Sequence, residues 1–254
     1  MSLSHLTQAT VPKAGAVAVL PLGAMETHGP HLPLGTDNLI AEGILNRAAE
    51  LDTHDAQILR LPAMWLGASA EHADHPGTLS LEPEQVVAQI VNIGEGLTRS
   101  GVTRVMVFNA HGGNVAACAM AALKLRTRFN MLAAGVHWLD FGLPPGLVPP
   151  APEADDVHGG WIETSVMLHL APHLVVEEVR AARPAQTPAP SLFPSGPVNW
   201  GWKIDDLAPS DGKTGWIGRP DLATAALGKT LVDHAAQCVV KALHDIAATR
   251  IELR

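Results

Sequence analysis

The chain has 254 residues, and its 47% hydrophobic and 17% charged content is typical of a folded globular protein, not of a disordered chain or a coiled coil. Its formal net charge is −8 and its basic residues do not cluster, which argues against a nucleic-acid partner. Two cysteines cannot form a disulfide scaffold, the first residues lack a signal-peptide pattern, and the apolar runs are too short to span a membrane. We therefore expect a cytoplasmic protein with no membrane partner.

Short apolar runs alternate with longer stretches of helical periodicity along the chain. The predicted strands cover residues 15–22, 57–62, 102–108 and 131–138. The predicted helices follow Asp37 and cover residues 83–100, 115–128, 159–170 and about 220–248. Buried strands that alternate with helices favour a mostly parallel sheet, so we predict an α/β fold. No linker divides the chain, which predicts a single domain over residues 1–254.

The segment 180–220 is too long to be an ordinary connection, and it is rich in Pro, Gly and Trp without a clear period. It contains Trp200, Trp202 and Trp216. An exposed aromatic set of this kind is as consistent with a subunit interface as with a lid over a substrate.

Acidic and imidazole side chains follow the first predicted strand, at the end where ligands bind in a parallel sheet. Glu26 and His28 are two residues apart, so an extended chain places both side chains on the same side. Asp37 follows a glycine-containing turn and opens a helix, where we expect it to serve both as N-cap and as ligand. If these two residues are considered without the others, a simple ion pair at the strand end explains Glu26 and His28 better than a metal site does.

Two later segments add further candidates. The third predicted strand ends in NAHGGN, where two glycines beside His111 allow backbone to approach a bound group closely. In DDVHGGWIETS, His158 precedes a predicted helix and Glu163 lies in its first turns, so both could face one cavity. His158 is either a structural residue or the group that transfers a proton, and we favour the second role. His31 is either near the site or a turn residue.

Three carboxylates and two imidazoles are therefore expected at one edge of the sheet: Glu26, Asp37, Glu163, His28 and His111. Gathering three anions in a partly desolvated site is costly without a counter-charge. Two divalent cations would supply it, and mixed nitrogen and oxygen ligands suit Zn²⁺ first, or Mn²⁺ or Fe²⁺. Such a pair of ions activates water and polarises a carbonyl, so the pattern predicts hydrolysis of an amide-like C–N bond.

Four motifs together resemble the creatininase (creatinine amidohydrolase) family: LPLGAMETHGPHLPLGTDN, EHADHPGTLSL, NAHGGN and HGGWIETS. They lie in this order between Leu20 and Ser165. The resemblance implies a three-layer α/β/α sandwich, a dinuclear metal site, amidohydrolase activity and a homo-oligomer, often a hexamer.

Carried over residue by residue, the resemblance implies that Asp37 bridges two ions and that His158 transfers a proton. The implied metal ligands are Glu26, His28, Asp37, His111 and Glu163. The chain departs from creatininases proper at three positions. They carry a Glu where this chain has Gly113, an acidic residue where it has Trp161, and a Trp where it has Ala154. These departures argue against creatinine itself as the substrate.

The segment with Glu71, His72 and His75 has the composition of part of a zinc motif. Its order is wrong for H-E-x-x-H, and Pro76 and Gly77 are incompatible with a helix there. We interpret this segment as a wall of the pocket. The predicted substrate contacts are Ser69, His72, Trp138 and Asp155.

The sequence supports three hypotheses of function. The first is hydrolysis of a small non-peptide amide, cyclic amide or formamide at a dinuclear metal site. The second keeps this chemistry but acts on a small modified peptide, as the mycofactocin-linked peptidases of the family do. The third is a sensor or structural protein that binds metal and ligand without turnover, and the complete ligand set with His158 argues against it.

Overall fold

Four parallel strands form the central sheet of the structure, a computed structural model that describes residues 1–11, 15–52, 58–152, 156–186, 189–192, 198, 200–208 and 215–250. In spatial order β2-β1-β3-β4, the sheet contains β1 (Val17–Leu22), β2 (Ile58–Arg60), β3 (Arg104–Asn109) and β4 (Leu132–His137). The helices are α1 (Thr36–Leu51), α2 (Pro83–Arg99), α3 (Val115–Phe129), α4 (Trp161–Leu170) and α5 (Ala225–Ala248). The predicted α/β fold with a parallel sheet is confirmed.

Helices cover both faces of the sheet and give the protein three layers. Successive side chains of a strand point to opposite faces, so each strand contributes to two apolar cores. Val19 and Phe108 pack with α1, α4 and α5 in one core. Leu20 and Val107 pack with α2 and α3 in the other. The α/β/α sandwich is therefore the observed fold, and all six residues of β1 are buried, as its continuous apolar sequence predicts.

Helix α1 begins two residues earlier than the sequence predicts. Gly35 occupies the N-cap position and Asp37 lies inside the first turn, without a capping hydrogen bond from the N-cap residue. The prediction that Asp37 caps this helix is therefore wrong. Its carboxylate faces two histidines instead, as described below.

Helix α5 begins at Ala225 and not near residue 220. Thr224 sets this boundary because its hydroxyl accepts a hydrogen bond from the Leu227 N–H at 3.2 Å, which caps the helix. The preceding Pro220–Leu222 forms a separate 3₁₀ turn. The second strand is also shorter than predicted, and residue 57 lies outside the described residues. No helix in the described ranges combines the length and the apolar character needed to cross a bilayer.

The carboxyl ends of three strands lie level at one edge of the sheet. Leu22 pairs with Asn109, and Asn109 pairs with His137. Because the strands are parallel, the loops after them leave from this same edge. The segments with the candidate functional residues therefore meet there.

Candidate metal centre

Two asparagines of the NAHGGN motif fix the loops around the strand ends. Asn109 Oδ1 accepts a hydrogen bond from the His111 N–H at 3.1 Å, and Asn109 Nδ2 donates to the His111 carbonyl at 2.6 Å. Asn114 Nδ2 donates to the Gly23 carbonyl at 3.0 Å, while its Oδ1 accepts from the Ala68 N–H at 2.9 Å. Loops that follow β1, β2 and β3 are thus joined by side chains to which the sequence analysis assigned no role. The only signal for them was the repeated Asn in the motif.

The structure brings the five predicted ligands together at this edge. His28 Nε2 is 3.2 Å from Asp37 Oδ1 and 3.9 Å from Glu163 Oε1. His111 Nδ1 is 3.2 Å from Glu26 Oε1 and 3.5 Å from Asp37 Oδ2. Two groups result, Glu26–Asp37–His111 and His28–Asp37–Glu163, and within each the possible ligand atoms lie within 4.8 Å of one another. Asp37 belongs to both groups and directs one oxygen toward the histidine of each.

Hydrogen bonds to backbone carbonyls select the ring nitrogen that each histidine presents to the cluster. His28 Nδ1 donates to the Glu26 carbonyl at 3.3 Å, and His111 Nε2 donates to the Ala68 carbonyl at 2.8 Å. A carbonyl oxygen only accepts, so a neutral ring keeps its proton on these nitrogens. The lone pairs then lie on His28 Nε2 and His111 Nδ1, which both face the carboxylates. A backbone partner of this kind commonly orients a metal-binding imidazole.

Buried polar atoms without partners mark a place that fits cations. Both carboxylate oxygens of Glu26, Oδ2 of Asp37 and Nε2 of His28 are buried and have no hydrogen-bond partner among the described residues. An unsatisfied buried polar atom costs free energy, so several at one point require an explanation. A divalent ion supplies one, because carboxylate oxygen and imidazole nitrogen are ligands of Zn²⁺ and Mn²⁺.

Electrostatics within the cluster favour protonated ligand imidazoles. Burial lowers the pKa of His111, but the neighbouring carboxylates, Glu26 first, outweigh burial and raise this pKa to about 10. Burial also lowers the pKa of His28, but Asp37 and Glu163 together outweigh burial and raise this pKa well above its usual value. Burial raises the pKa of Asp37 to about 6, although His28 opposes the shift. The carboxylates therefore favour positive charge at the ring nitrogens of His28 and His111.

His158 lies beside the cluster in a different charge state. Its Nε2 donates to the Thr27 carbonyl at 2.6 Å, which leaves Nδ1 facing Glu26 Oε1 at 3.8 Å. Burial, and then the charge of His28, lower the pKa of His158 to about 4. A neutral imidazole with a free nitrogen toward the cluster is able to accept a proton. This geometry is compatible with the proton-transfer role that the sequence analysis favours.

A cavity of about 650 Å³ opens onto the cluster. Trp200 and Trp202 of the long segment line it, together with residues of the strand ends. Trp216 is different, because it is buried and its ring packs edge-on against His31 at 6.2 Å between centroids. The three tryptophans therefore do not form one exposed aromatic set.

Of the predicted substrate contacts in the described residues, only His72 lines this cavity. Ser69 is buried, with its Oγ 3.4 Å from His111 Nε2. Trp138 lies in the apolar core with α1, α4 and α5, so the prediction that it lines the cavity does not match its position. His137, one residue earlier, lines the cavity. Asp155 lies outside the described residues.

Asp156, which the sequence analysis missed, contributes an acidic group to the cavity wall. Its carboxylate also accepts hydrogen bonds from the N–H groups of Trp161 at 2.6 Å and Ile162 at 2.9 Å, at the start of α4. Burial raises its pKa to about 7. The Gly159 N–H donates to Glu163 Oε2 at 2.6 Å, which holds this candidate ligand against the same turn. An acidic residue shortly before a helix was the available signal for Asp156.

The segment with Glu71, His72 and His75, which the sequence predicts to be a wall of the pocket, also reaches the cluster. Ala70–His72 is a 3₁₀ turn, not the α-helix that an H-E-x-x-H pair needs. His75 Nε2 lies 3.5 Å from Asp205 Oδ2, whereas His72 Nε2 lies 3.5 Å from Glu26 Oε1. Glu26, Glu71 and His72 form a further group whose possible ligand atoms lie within 4.8 Å of one another.

The sandwich and its strand-end cluster define an α/β protein with a carboxylate–imidazole centre beneath an open cavity. The chain matches the creatininase (creatinine amidohydrolase) family over residues 3–243. It belongs to the creatininase family and is a hydrolase of that family. The assignment predicted from the four motifs is confirmed.

Relatives within the family differ in the substrates that their names describe. The chain is 35% identical over 236 residues to the mycofactocin precursor peptide peptidase of Mycobacterium tuberculosis, with 90% of this chain and 85% of the relative covered. It is 31% identical over 210 residues to the creatinine amidohydrolase of Pseudomonas putida, with 75% and 78% covered. A solved manganese form of creatininase has the same fold, with a TM-score of 0.77 at 23% identity and 98% and 99% coverage. A Zn–Zn form of a mutant creatininase gives a TM-score of 0.74 at 24% identity and covers 98% of each chain.

Proposed function

We propose that the protein is a dinuclear metal-dependent hydrolase that cleaves an amide C–N bond in a short peptide. The observation that carries the proposal is the position of Asp37, whose two oxygens face two separate groups of nitrogen and oxygen atoms. Glu26, Asp37 and His111 would hold one ion. His28, Asp37 and Glu163 would hold the second. Manganese and zinc are supported by the solved creatininases of the same fold.

Each residue of the cluster has a distinct task in this proposal. Divalent ions held in such a site polarise a substrate carbonyl and lower the pKa of the water that attacks it. Asp37, fixed between His28 and His111, sets the separation of the two groups. His158 accepts a proton at Nδ1 and passes it to the departing nitrogen, while its bond to the Thr27 carbonyl keeps the ring oriented.

The cavity favours the end of a peptide over a compact heterocycle. Its volume of about 650 Å³ lies in the range of roughly 300–1,000 Å³ that is typical of sites for much larger ligands than creatinine. Trp200 and Trp202 provide apolar surface, and Asp140 and Asp156 provide acidic groups. The peptidase relative also aligns with more of this chain than the P. putida amidohydrolase does, 90% against 75%. These observations support the second of the three hypotheses over the first.

Hydrolysis of a small cyclic amide or formamide is the second candidate function. It is favoured by the 31% identity to a creatinine amidohydrolase. It requires the same cluster but a cavity that closes around a smaller substrate.

Metal analysis followed by two substrate panels tests both candidates. We expect the purified protein to bind two divalent ions, and the best-bound metal to support cleavage of short peptides faster than of creatinine or formamides. Glu26→Gln should abolish turnover, whereas Glu84→Gln, at an exposed position in the first turn of α2, should match the wild type. Full activity in metal-free protein would refute metal dependence. Two bound ions with no turnover on either panel would favour the non-catalytic hypothesis.

A further inference from the structure

The space beside Gly113 is occupied by a carboxylate from a different part of the chain. A Cβ at this position would lie 2.5 Å from His111 Nε2, 2.6 Å from Glu71 Oε1 and closer still to the Ala68 carbonyl oxygen. The resemblance described in the sequence analysis implies a Glu at this position in creatininases proper. In this chain the 3₁₀ turn Ala70–His72, which follows β2, brings Glu71 to the place where that side chain would begin.

Glu71 lies beside the cluster, and the nearest imidazole, that of His111, already has another hydrogen-bond acceptor. Its Oε1 is 3.3 Å from His111 Nε2, but that nitrogen already donates its proton to the Ala68 carbonyl. Its side chain is 18% exposed and lines the cavity. Together with Glu26 and His72 it forms one of the groups whose possible ligand atoms lie within 4.8 Å of one another.

Negative charge and buried polar atoms without hydrogen-bond partners indicate a cation at the group of Glu26, Glu71 and His72. Glu26 and Glu71 are two carboxylates in a largely buried place, and neither oxygen of Glu26 has a hydrogen-bond partner among the described residues. His72 Nδ1 is likewise buried without a partner there.

We propose that Glu71 is a ligand of the ion that Glu26 holds, and that it supplies from a separate loop the carboxylate that Gly113 lacks. This inference depends on the proposed metal site and adds one ligand to it. The ion bound by Glu26 then has more oxygen donors than the ion bound by His28 and Glu163. Oxygen-rich sites suit Mn²⁺ better than Zn²⁺, so Glu71 should favour manganese on the Glu26 side.

Metal titration of two Glu71 variants tests the ligand role. Glu71→Gln removes the charge at nearly constant shape, and Glu71→Asp keeps the charge but shortens the arm. We expect both variants to weaken the binding of Mn²⁺ at one site by more than ~100-fold, above the roughly 10–100-fold that outer-shell partners typically contribute. Zn²⁺ binding should weaken less. Glu84→Gln is the matched control and should bind both metals as the wild type does.

The visible absorption of the Co²⁺-loaded protein gives an independent readout, since it reports the coordination number of the ion. We expect this spectrum to change in Glu71→Gln and to stay unchanged in Glu84→Gln, with equal thermal unfolding of the two metal-free variants. Wild-type affinity for Mn²⁺ in Glu71→Gln would overturn the inference alone. Wild-type affinity in Glu71→Asp, beside a loss in Glu71→Gln, would also overturn it, because the charge would then act without direct contact. A wild-type protein that binds no divalent ion would overturn the proposed function as well.

Discussion

Metal binding should release about two protons per chain near pH 7, because both candidate imidazole ligands are protonated when no ion is bound. The pKa of His111 is raised to about 10, and that of His28 lies well above its usual value. A metal ion binds neutral imidazole, so each ion displaces one proton. Asp37, with a pKa of about 6, is largely ionised at pH 7 and contributes little to the count.

The free energy needed to remove the proton from His111 sets the pH dependence of the affinity for the metal ion. At pH 7, removing the proton of His111 works against about 3 pKa units, or roughly 4 kcal/mol at 1.36 kcal/mol per unit. Because the pKa is raised, the proton competes with the metal at every pH below about 10. The affinity for the Glu26–Asp37–His111 ion should therefore rise about tenfold per pH unit between pH 7 and 8, and should level off only near the pKa.

Calorimetric titration with Mn²⁺ in two buffers of equal pH and different ionisation enthalpy measures the proton count. We expect about two protons for two ions bound at pH 7. His173→Asn is a control at an exposed position and should give the same count. A count near zero with two ions bound, or an affinity that does not change with pH, would refute the assignment of His28 and His111 as the ligands.

Four further predictions concern separate parts of the site. Asp37→Asn should weaken both ions and Glu163→Gln only one, as measured by metal stoichiometry; equal losses would contradict a bridging Asp37. His158→Asn should keep its metal but lower kcat by roughly 10²–10⁴-fold, and an unchanged rate would exclude proton transfer by this residue. Asn114→Ala leaves buried groups of two loops unpaired and should lower the free energy of unfolding by about 2–4 kcal/mol in urea titrations; a change below about 0.5 kcal/mol would contradict its structural role. Trp202→Ala should raise KM for a peptide more than for a small amide, and equal effects would argue against a peptide-binding wall.

The convergence of the candidate ligands could be predicted from the sequence because each lies at or near a strand end or a helix start. Glu26 and His28 follow β1, His111 follows β3, and parallel strands deliver their ends to one edge. Glu71 could not be assigned in this way. Its position depends on the path of a loop after β2 and on the absence of a side chain at Gly113, and both are properties of the folded chain.

Errors at other positions came from small shifts along the backbone. Trp138 was expected in the cavity, but it opens the 3₁₀ turn Trp138–Phe141 after β4 and packs into the core, whereas His137, the last residue of β4, lines the cavity. Asp37 was expected to cap α1, but the helix begins one residue before it, which turns the carboxylate inward. Displacements of one or two residues are within the uncertainty of any boundary read from sequence.

The aromatic wall and the charged cluster come from unrelated stretches of the chain. Trp200 and Trp202 belong to the long segment before α5, whereas the acids and imidazoles below them are anchored to strand ends and α4. Substitutions in the aromatic stretch can therefore reshape what enters the cavity while the buried charges stay in place. A division of this kind allows substrate choice to change independently of the buried charges, and the family does include relatives named as a precursor peptide peptidase and as a creatinine amidohydrolase.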